Sequence, residues 1–396
     1  MKLAYKNQII IAIIGLLSAS CFALQAQNTI SESERQRIIH QVKKEVLDSV
    51  NIKYSKPLGQ ISDDFTVSGY LEAYYSYDFE NPDNHNRPNF MYSHNRHNEI
   101  TVNLGFIKTT YQTDKARANL AVAVGTYMNS NYAAEPTVMK NIYEANVGVK
   151  ISKKQDLWFD AGVMPSHIGF ESAIGKDNWT LTRGLYAENS PYFNTGAKIS
   201  YTSPNEKWLL SGLVLNGWQR IQRVDGNHLP AFGHQLTYKP NSKITLNSSS
   251  FVGSDKTDSL RQMRYFHNLY GIFQIDERFG ITVGIDFGAE QKSKGSKSYN
   301  SWLSPVLLIK ANATDKVSFT IRGEYYKDAV GVIIATNTTN NFQTFGYSLN
   351  CDYQIHDNIV WRIEGRGLNS KDEIFIFNNK PSKNNYFVTT AIAFSF

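Results

Sequence analysis

His167 and Glu171 stand four residues apart, the spacing at which a helix would aim an imidazole and a carboxylate at one metal ion. No third ligand accompanies them at suitable spacing, so a hydrogen-bonded loop histidine is the simpler reading. His85, His94 and His97 form a second candidate, but the Asn, Arg and Pro residues around them describe a solvated loop. Tyr70 and Tyr74, with Glu72 between them and Asp78 beyond, could stack on and hydrogen-bond a sugar-like solute, or could line a polar wall for structural reasons. The sequence holds no nucleophile elbow, phosphate loop, Cys-x-x-Cys pair or His-Glu-x-x-His helix. A catalytic Ser, His and acid would have to be assembled by the fold alone, so no catalytic residue, resident metal or cofactor is expected.

These residues belong to a chain of 396 with 19% charged and 13% aromatic side chains. Aromatics at that level can build a core, which excludes disorder. Only the N-terminus carries a long apolar run, which excludes a helical membrane protein. Lys2 and Lys6 precede the run Ile9 to Leu17, and Ala23 and Ala26 follow it, the layout of a secretory signal peptide over residues 1–26. Cys21 leaves with that segment, and Ser18 stands where a lipoprotein signal needs an aliphatic residue. Cys351 is then alone, and no intrachain disulfide can form. The remaining net charge of about +4 is no nucleic-acid footprint.

Residues 27–62 read as a periplasmic helical tether. Ser31 and Glu34 make a capping box, and Ile39, Val42, Val46 and Val50 recur at helical spacing. From 63 to 396 the period changes to two. Phe65, Val67, Leu71, Tyr75 and Phe79 alternate with Thr66, Tyr70, Glu72, Tyr74 and Asp78, and similar alternation recurs along the chain to give 16 strands, the last being Tyr386 to Phe396. Tight turns around Asp114, Lys154, Asn205, Asn241, Glu277, Asp315 and Asp357 alternate with longer polar loops such as 80–98, 165–191, 218–230 and 369–385. A soluble sandwich has no reason to sort its connections in this way, whereas an outer-membrane barrel has short periplasmic turns and long external loops. The fold expected is all-β: a transmembrane antiparallel β-barrel of about 16 strands, closed because lipid does not tolerate sheet edges, with a short N-terminal periplasmic helix. Tyr111, Tyr127, Trp158, Tyr201, Trp208, Tyr238, Trp302, Tyr325 and Tyr353 are candidates for its aromatic girdles. The aromatic end at Phe394 and Phe396 is similar to the closing strand that the barrel-assembly machinery recognises.

Between the fifth and sixth strands runs Met164-Pro165-Ser166-His167-Ile168-Gly169-Phe170-Glu171-Ser172, then Asn178-Trp179-Thr180-Leu181-Thr182-Arg183 and Ala187-Glu188-Asn189-Ser190-Pro191-Tyr192. This segment resembles the OmpL-like beta-barrel porins of Bacteroidetes. The resemblance covers the barrel region, is specific in this segment and rests elsewhere on alternation and the aromatic terminus. It implies an outer-membrane porin and adds little mechanism.

The third long loop, 165–191, is the longest and mixes His167, Glu171, Lys176, Asp177, Arg183 and Glu188 with aromatics. Folded inward, it would form a pore constriction; the alternative is an exposed cap. Alternation places Glu72, Asp78, Arg322, Glu324, Arg362, Glu364 and Arg366 on the lumen side, together with Arg117, Lys150, Lys198 and Lys310 and with Glu144, Asp160, Asp286, Glu290 and Asp352. Mixed signs predict weak ion selectivity. Arg322, Glu324, Arg362, Glu364 and Arg366 read as a salt-bridge ladder in the wall. The function expected is passive diffusion of small hydrophilic solutes through a water-filled channel in the outer membrane, with outer-membrane lipid and the barrel-assembly machinery as partners and homo-oligomerisation open. An adhesin or receptor binding ligands through its external loops is the alternative.

Overall fold

The computed structural model describes residues 62–377 and 380–396; the expected signal peptide and tether helix lie outside them. β1 (Phe65–Asp78) pairs antiparallel with β2 (Ile100–Gln112) on one side and with β18 (Asn384–Ser395) on the other, closing a barrel of 16 strands. Neighbours follow chain order throughout, except that β15 (Ile359–Ser370) lies beside β18. The intervening β16 (Phe375–Phe377) and β17 (Lys380–Ser382) form a separate hairpin in the last long loop, where the sequence predicts only loop.

The period of two produces two opposed surfaces. On β14 (Phe342–His356), Phe345, Tyr347 and Leu349 are exposed on the outside, while Thr344, Ser348 and Asn350 are buried inside. Apolar rows facing outward are favourable only where the surroundings are lipid rather than water. Connections sort as the sequence predicts. Turns at 113–115, 151–155, 203–207, 242–243, 275–278, 313–316 and 357–358 share one end, and the long loops leave from the other.

Some of the girdle aromatics point the other way. Tyr111, Trp208 and Tyr353 are exposed outside, but Tyr127, Trp158 and Trp302 are buried inside. Tyr127 has left the strand for α1 (Thr126–Asn131). Trp158 shares the inward parity of Asp160 and lies beneath the Arg117 guanidinium at 4.3 Å. The core is likewise inside the barrel, where Phe90 and Met91 of the first loop pack with Phe342, Phe375 and Phe387.

Closure depends on a close approach at the chain end. Gly69 and Phe396 exchange two backbone hydrogen bonds of 3.1 Å, and the Phe396 ring lies so near that a Cβ on Gly69 would stand 2.3 Å from Cε1. Gly69→Val should therefore displace the terminal ring and cut the yield of folded barrel severalfold, as should deletion of Phe396. Heat-modifiable gel mobility of outer-membrane fractions checks this; full wild-type yield for both variants would remove the closing role.

Candidate functional site

The third loop, residues 166–192, leaves β5 (Asp156–Pro165) and returns into β6 (Phe193–Thr202). Its partners lie across the barrel, on the inner faces of β13 (Val317–Asp328), β14 and β15. Leu181 N donates to Asn350 Oδ1 at 3.0 Å, Thr182 N to Glu364 Oε2 at 2.6 Å and Leu185 N to Glu324 Oε2 at 2.6 Å. Arginines of the wall donate to loop carbonyls in return: Arg322 to Thr182 O at 2.7 Å, Arg362 to Gly175 O at 2.6 Å and Asn178 O at 2.9 Å, and Arg366 to Arg183 O at 2.7 Å. An irregular segment inside a barrel has few regular partners for its backbone groups, and buried ones must be satisfied. Charge-assisted bonds from the wall meet that need, each worth roughly 1.5–3 kcal/mol.

The wall residues also pair with one another. Arg322 Nη2 reaches Glu364 at 2.7 Å, Arg366 Nη2 reaches Glu324 at 2.5 Å and Arg362 Nε reaches Asp352 at 2.7 Å. The ladder read from the sequence is present, and it additionally docks the loop.

Of the six candidate constriction residues, four are buried. Arg183 is fully enclosed and donates to Ser172 O, Leu181 O and Ala173 O, holding the loop to itself. Glu188, on the short α2 (Leu185–Glu188), accepts from the Tyr92 and Ser93 N–H groups at 2.9 and 3.2 Å and so ties the third loop to the first. Glu171 Oε2 accepts from Gly184 N at 2.7 Å, while its Oε1 has no hydrogen bond and lies 3.9 Å from Arg322 Nη1. His167 packs against the wall with Nε2 2.8 Å from Ser250 O and Nδ1 3.1 Å from Asn194 Nδ2; among the described residues no group of three or more His, Cys, Asp and Glu is placed to hold a metal ion. Burial depresses the His167 imidazole to about 4 and keeps it neutral at pH 7. Only Lys176 and Asp177 are exposed, paired at 3.0 Å.

The first-strand residues face inward but are covered. Glu72 is fully buried and accepts from Tyr70 OH at 2.8 Å and Asn103 Nδ2 at 2.8 Å, with His94 Nε2 at 2.9 Å. Gly175 presses so close that a Cβ there would stand 1.9 Å from Glu72 Oε2, so a larger residue would have to displace that buried carboxylate. Tyr74 OH accepts from Arg96 N at 3.0 Å, and Asp78 accepts from Asn385 Nδ2 at 2.8 Å and pairs with Arg87 at 3.5 Å. Tyr70, Glu72, Tyr74 and Asp78 thus hold loops in place, and a sugar could not reach them without displacing those loops. His94 and His97 are buried as well, which corrects the solvated reading of the first loop.

Below the loop, toward the tight turns, an open cavity of about 570 Å³ is bordered by Lys176, Lys310, Asp352 and Arg362 and by the turn residues Asp315 and Asp357. On the opposite wall Arg117 and Lys198 share Asp160, and Lys108 meets Glu144 at 2.6 Å. Sequence reasoning missed Lys108 and Arg264, which pairs with Glu290 at 2.6 Å. Parity could have found both, since Lys108 alternates in step with Leu104 and Phe106; those two apolar inward neighbours obscured the polar face.

A family model described as "putative beta-barrel porin-2, OmpL-like" matches residues 64–396. The chain belongs to that family. It is an outer-membrane β-barrel of the porin class. No curated protein matches the sequence. Similar solved structures include an anion-selective porin from Comamonas acidovorans, 10% identical with a TM-score of 0.56, covering 84% of this chain and 99% of that one. OmpT of Vibrio cholerae is 12% identical with a TM-score of 0.53, covering 85% and 98%; a trimer form is also known. The outer membrane channel DcaP of Acinetobacter baumannii is 12% identical with a TM-score of 0.53, covering 85% and 99%. At these identities the likeness is one of fold.

Proposed function

We propose that this porin passes small hydrophilic solutes by passive diffusion, with the third loop narrowing the path. The observation that carries the reading is the loop's course from β5 and β6 across the interior to the wall of β13, β14 and β15, where wall side chains are spent on loop backbone. A barrel of this strand number encloses an aqueous space when nothing fills it, so the loop governs the cross-section. Lys176 and Asp177 are the loop charges that meet solvent, and they set the local field together with Lys310 and Asp352. Arg183 and Glu188 act by holding the loop's shape. Inward packing of the first and third loops favours a channel over an adhesive cap.

Proteoliposomes of the purified barrel should take up a monosaccharide-sized solute and exclude a large oligosaccharide. An intact barrel that admits neither would reject the reading.

Burial pushes the Glu188 carboxyl up to about 7, although the N–H groups of Tyr92 and Ser93 and the charges of Arg183 and Arg366 pull it down. A folded-state pKa above the unfolded value means that protonation favours docking of the two loops. That contribution is lost as pH rises from the ordinary carboxyl range through about 7. Current fluctuations should be larger at pH 8 than at pH 5, and Glu188→Gln should reduce the difference, the remainder belonging to Glu80 of the first loop, whose carboxyl burial also pushes up to about 7. Equal noise at both pH values in the wild type would contradict the assignment.

A further inference from the structure

The inner wall of β2, β3 (Ala116–Val124), β4 (Ile142–Lys150), β5 and β6 carries charges that make no hydrogen bond to the third loop. Lys108, Arg117, Lys150 and Lys198 share the inward parity of the buried Leu104, Ala121, Asn146 and Ser200. Each of these four side chains is 26–29% exposed, and inside a closed barrel that exposure is to lumen water. The carboxylates beside them are covered, Glu144 retaining 6% and Asp160 4%. Signs that balance in the sequence are therefore separated by depth, with cations toward the water and acids behind them.

The cations also form a staircase. Arg117 is in register with Gly148, Gly148 with Asp160 and Asp160 with Lys198, so Arg117 and Lys198 flank Asp160 on one row. Lys108 is in register with Ala121, four residues nearer the loops than Arg117 on β3. Lys150 lies two residues nearer the turns than Gly148 on β4. At about 3.3 Å per residue the steps span roughly 20 Å of wall.

Donors on this wall are free and acceptors are occupied. Arg117 Nε and Nη2 each meet one Asp160 oxygen at 2.6 Å, and the guanidinium lies over Trp158, 4.3 Å from the ring centroid. Gly148 lets that pair span β4, since a Cβ there would stand 2.2 Å from Asp160 Oδ1. Arg117 Nη1 has no hydrogen bond among the described residues, and Lys198 Nζ, 3.9 Å from Asp160 Oδ2, has none either. Glu144 accepts from Lys108 at 2.6 Å on one oxygen and from Asn146 at 3.0 Å on the other. Asp156, the exposed carboxylate of this wall, sits at the turn end and is held by Trp158 Nε1 at 2.7 Å and by Lys150 at 3.4 Å. An anion passing along the wall meets unpaired N–H groups, whereas a cation meets oxygens that already accept.

We propose that the channel prefers anions, and that Arg117 and Lys198 form a seat for the oxyanion group, carboxylate or phosphate, of a small solute. Lys108 above and Lys150 below pass that group along the wall, on the side of the lumen opposite the strands that dock the third loop. Asp160 and Trp158 hold the Arg117 guanidinium, so its free donors are already oriented when an oxyanion arrives, and the mobile Lys198 ammonium completes the contact. The inference rests on the passive-diffusion reading and replaces the weak selectivity that a balance of signs predicts.

The test is the reversal potential of the purified full chain in a planar bilayer under a KCl gradient, read beside the phosphorus NMR line width of inorganic phosphate mixed with the same barrel in detergent. Wild type should reverse toward the chloride potential, with chloride severalfold more permeant than potassium. Its chloride current should fall when phosphate or citrate is added, and it should broaden the phosphate line. Lys198→Gln should at least halve the preference. Arg117→Gln combined with Asp160→Asn keeps the net charge and should still abolish the broadening, which separates a built seat from general positive charge. Heat-modifiable mobility verifies the folding of each variant. Block by only one of the two anions would assign the seat to that oxyanion. Wild-type currents without chloride preference would overturn the proposal, as would folded variants that keep both the preference and the broadening. A folded barrel that carries no current but broadens the phosphate line, with the broadening lost in the double variant, would keep the seat and reject the channel reading. Neither current nor broadening would reject both.

Discussion

Excision of Ser172–Glu188, with the ends joined by a short Gly-Ser link, should raise single-channel conductance severalfold. Each strand is held by ladders to two neighbours and by its outward apolar row, neither of which involves the loop. Removing the loop strips partners from Arg322, Glu324, Asn350, Arg362, Glu364 and Arg366. Water entering the widened interior can replace those partners, so the barrel should survive. The first loop should loosen as well, because Tyr92 and Ser93 lose the Glu188 carboxylate. The widened section should therefore exceed the volume of the excised residues alone. Unchanged conductance in a barrel with normal heat-modifiable mobility would show that the loop does not narrow the path.

Replacing Arg322 by Met should unlock the loop without removing it. Arg322 donates to Thr180 Oγ1 and Thr182 O on the loop and to Glu364 on the wall, and it lies 3.4 Å from Glu324. Its loss leaves Glu324 and Glu364 buried with fewer counter-charges, a change that typically costs about 3–5 kcal/mol. That strain falls on loop docking, because moving the loop aside lets water reach the carboxylates. The expected result is a flickering conductance with a larger mean, and protease cleavage near Thr180–Gly184 that wild type resists. Adding Glu364→Leu should not restore the wild-type trace, because it also takes the carboxylate that accepts from the Thr182 N–H and hydroxyl. A quiet, wild-type trace from Arg322→Met would mean that the wall contacts do not hold the loop.

The barrel was legible because two simple signals agree. Alternation, as along Phe345, Tyr347 and Leu349, fixes the faces, and turn-forming pairs such as Asp114-Lys115 mark one end. Both are local, and local patterns survive in sequence. The interior was legible only as far as parity reaches. Parity places Glu72, Arg322 and Glu364 inside but cannot say whether water or a loop meets them there. Arg183 and Glu188 looked like pore charges because a charged loop residue usually seeks solvent; here long-range packing encloses them. The first loop misled for the same reason, since His94 is buried by its bond to Glu72, a partner 22 residues away. Trp158 and Trp302 show the limit of position along a strand as a guide, because parity turned both inward.

The most direct test is a single-channel recording of the purified wild-type barrel in a planar bilayer, with folding verified by heat-modifiable mobility. Stepwise, ohmic currents smaller than those of the Ser172–Glu188 excision are the predicted result. An intact barrel that inserts and carries no current would contradict the account.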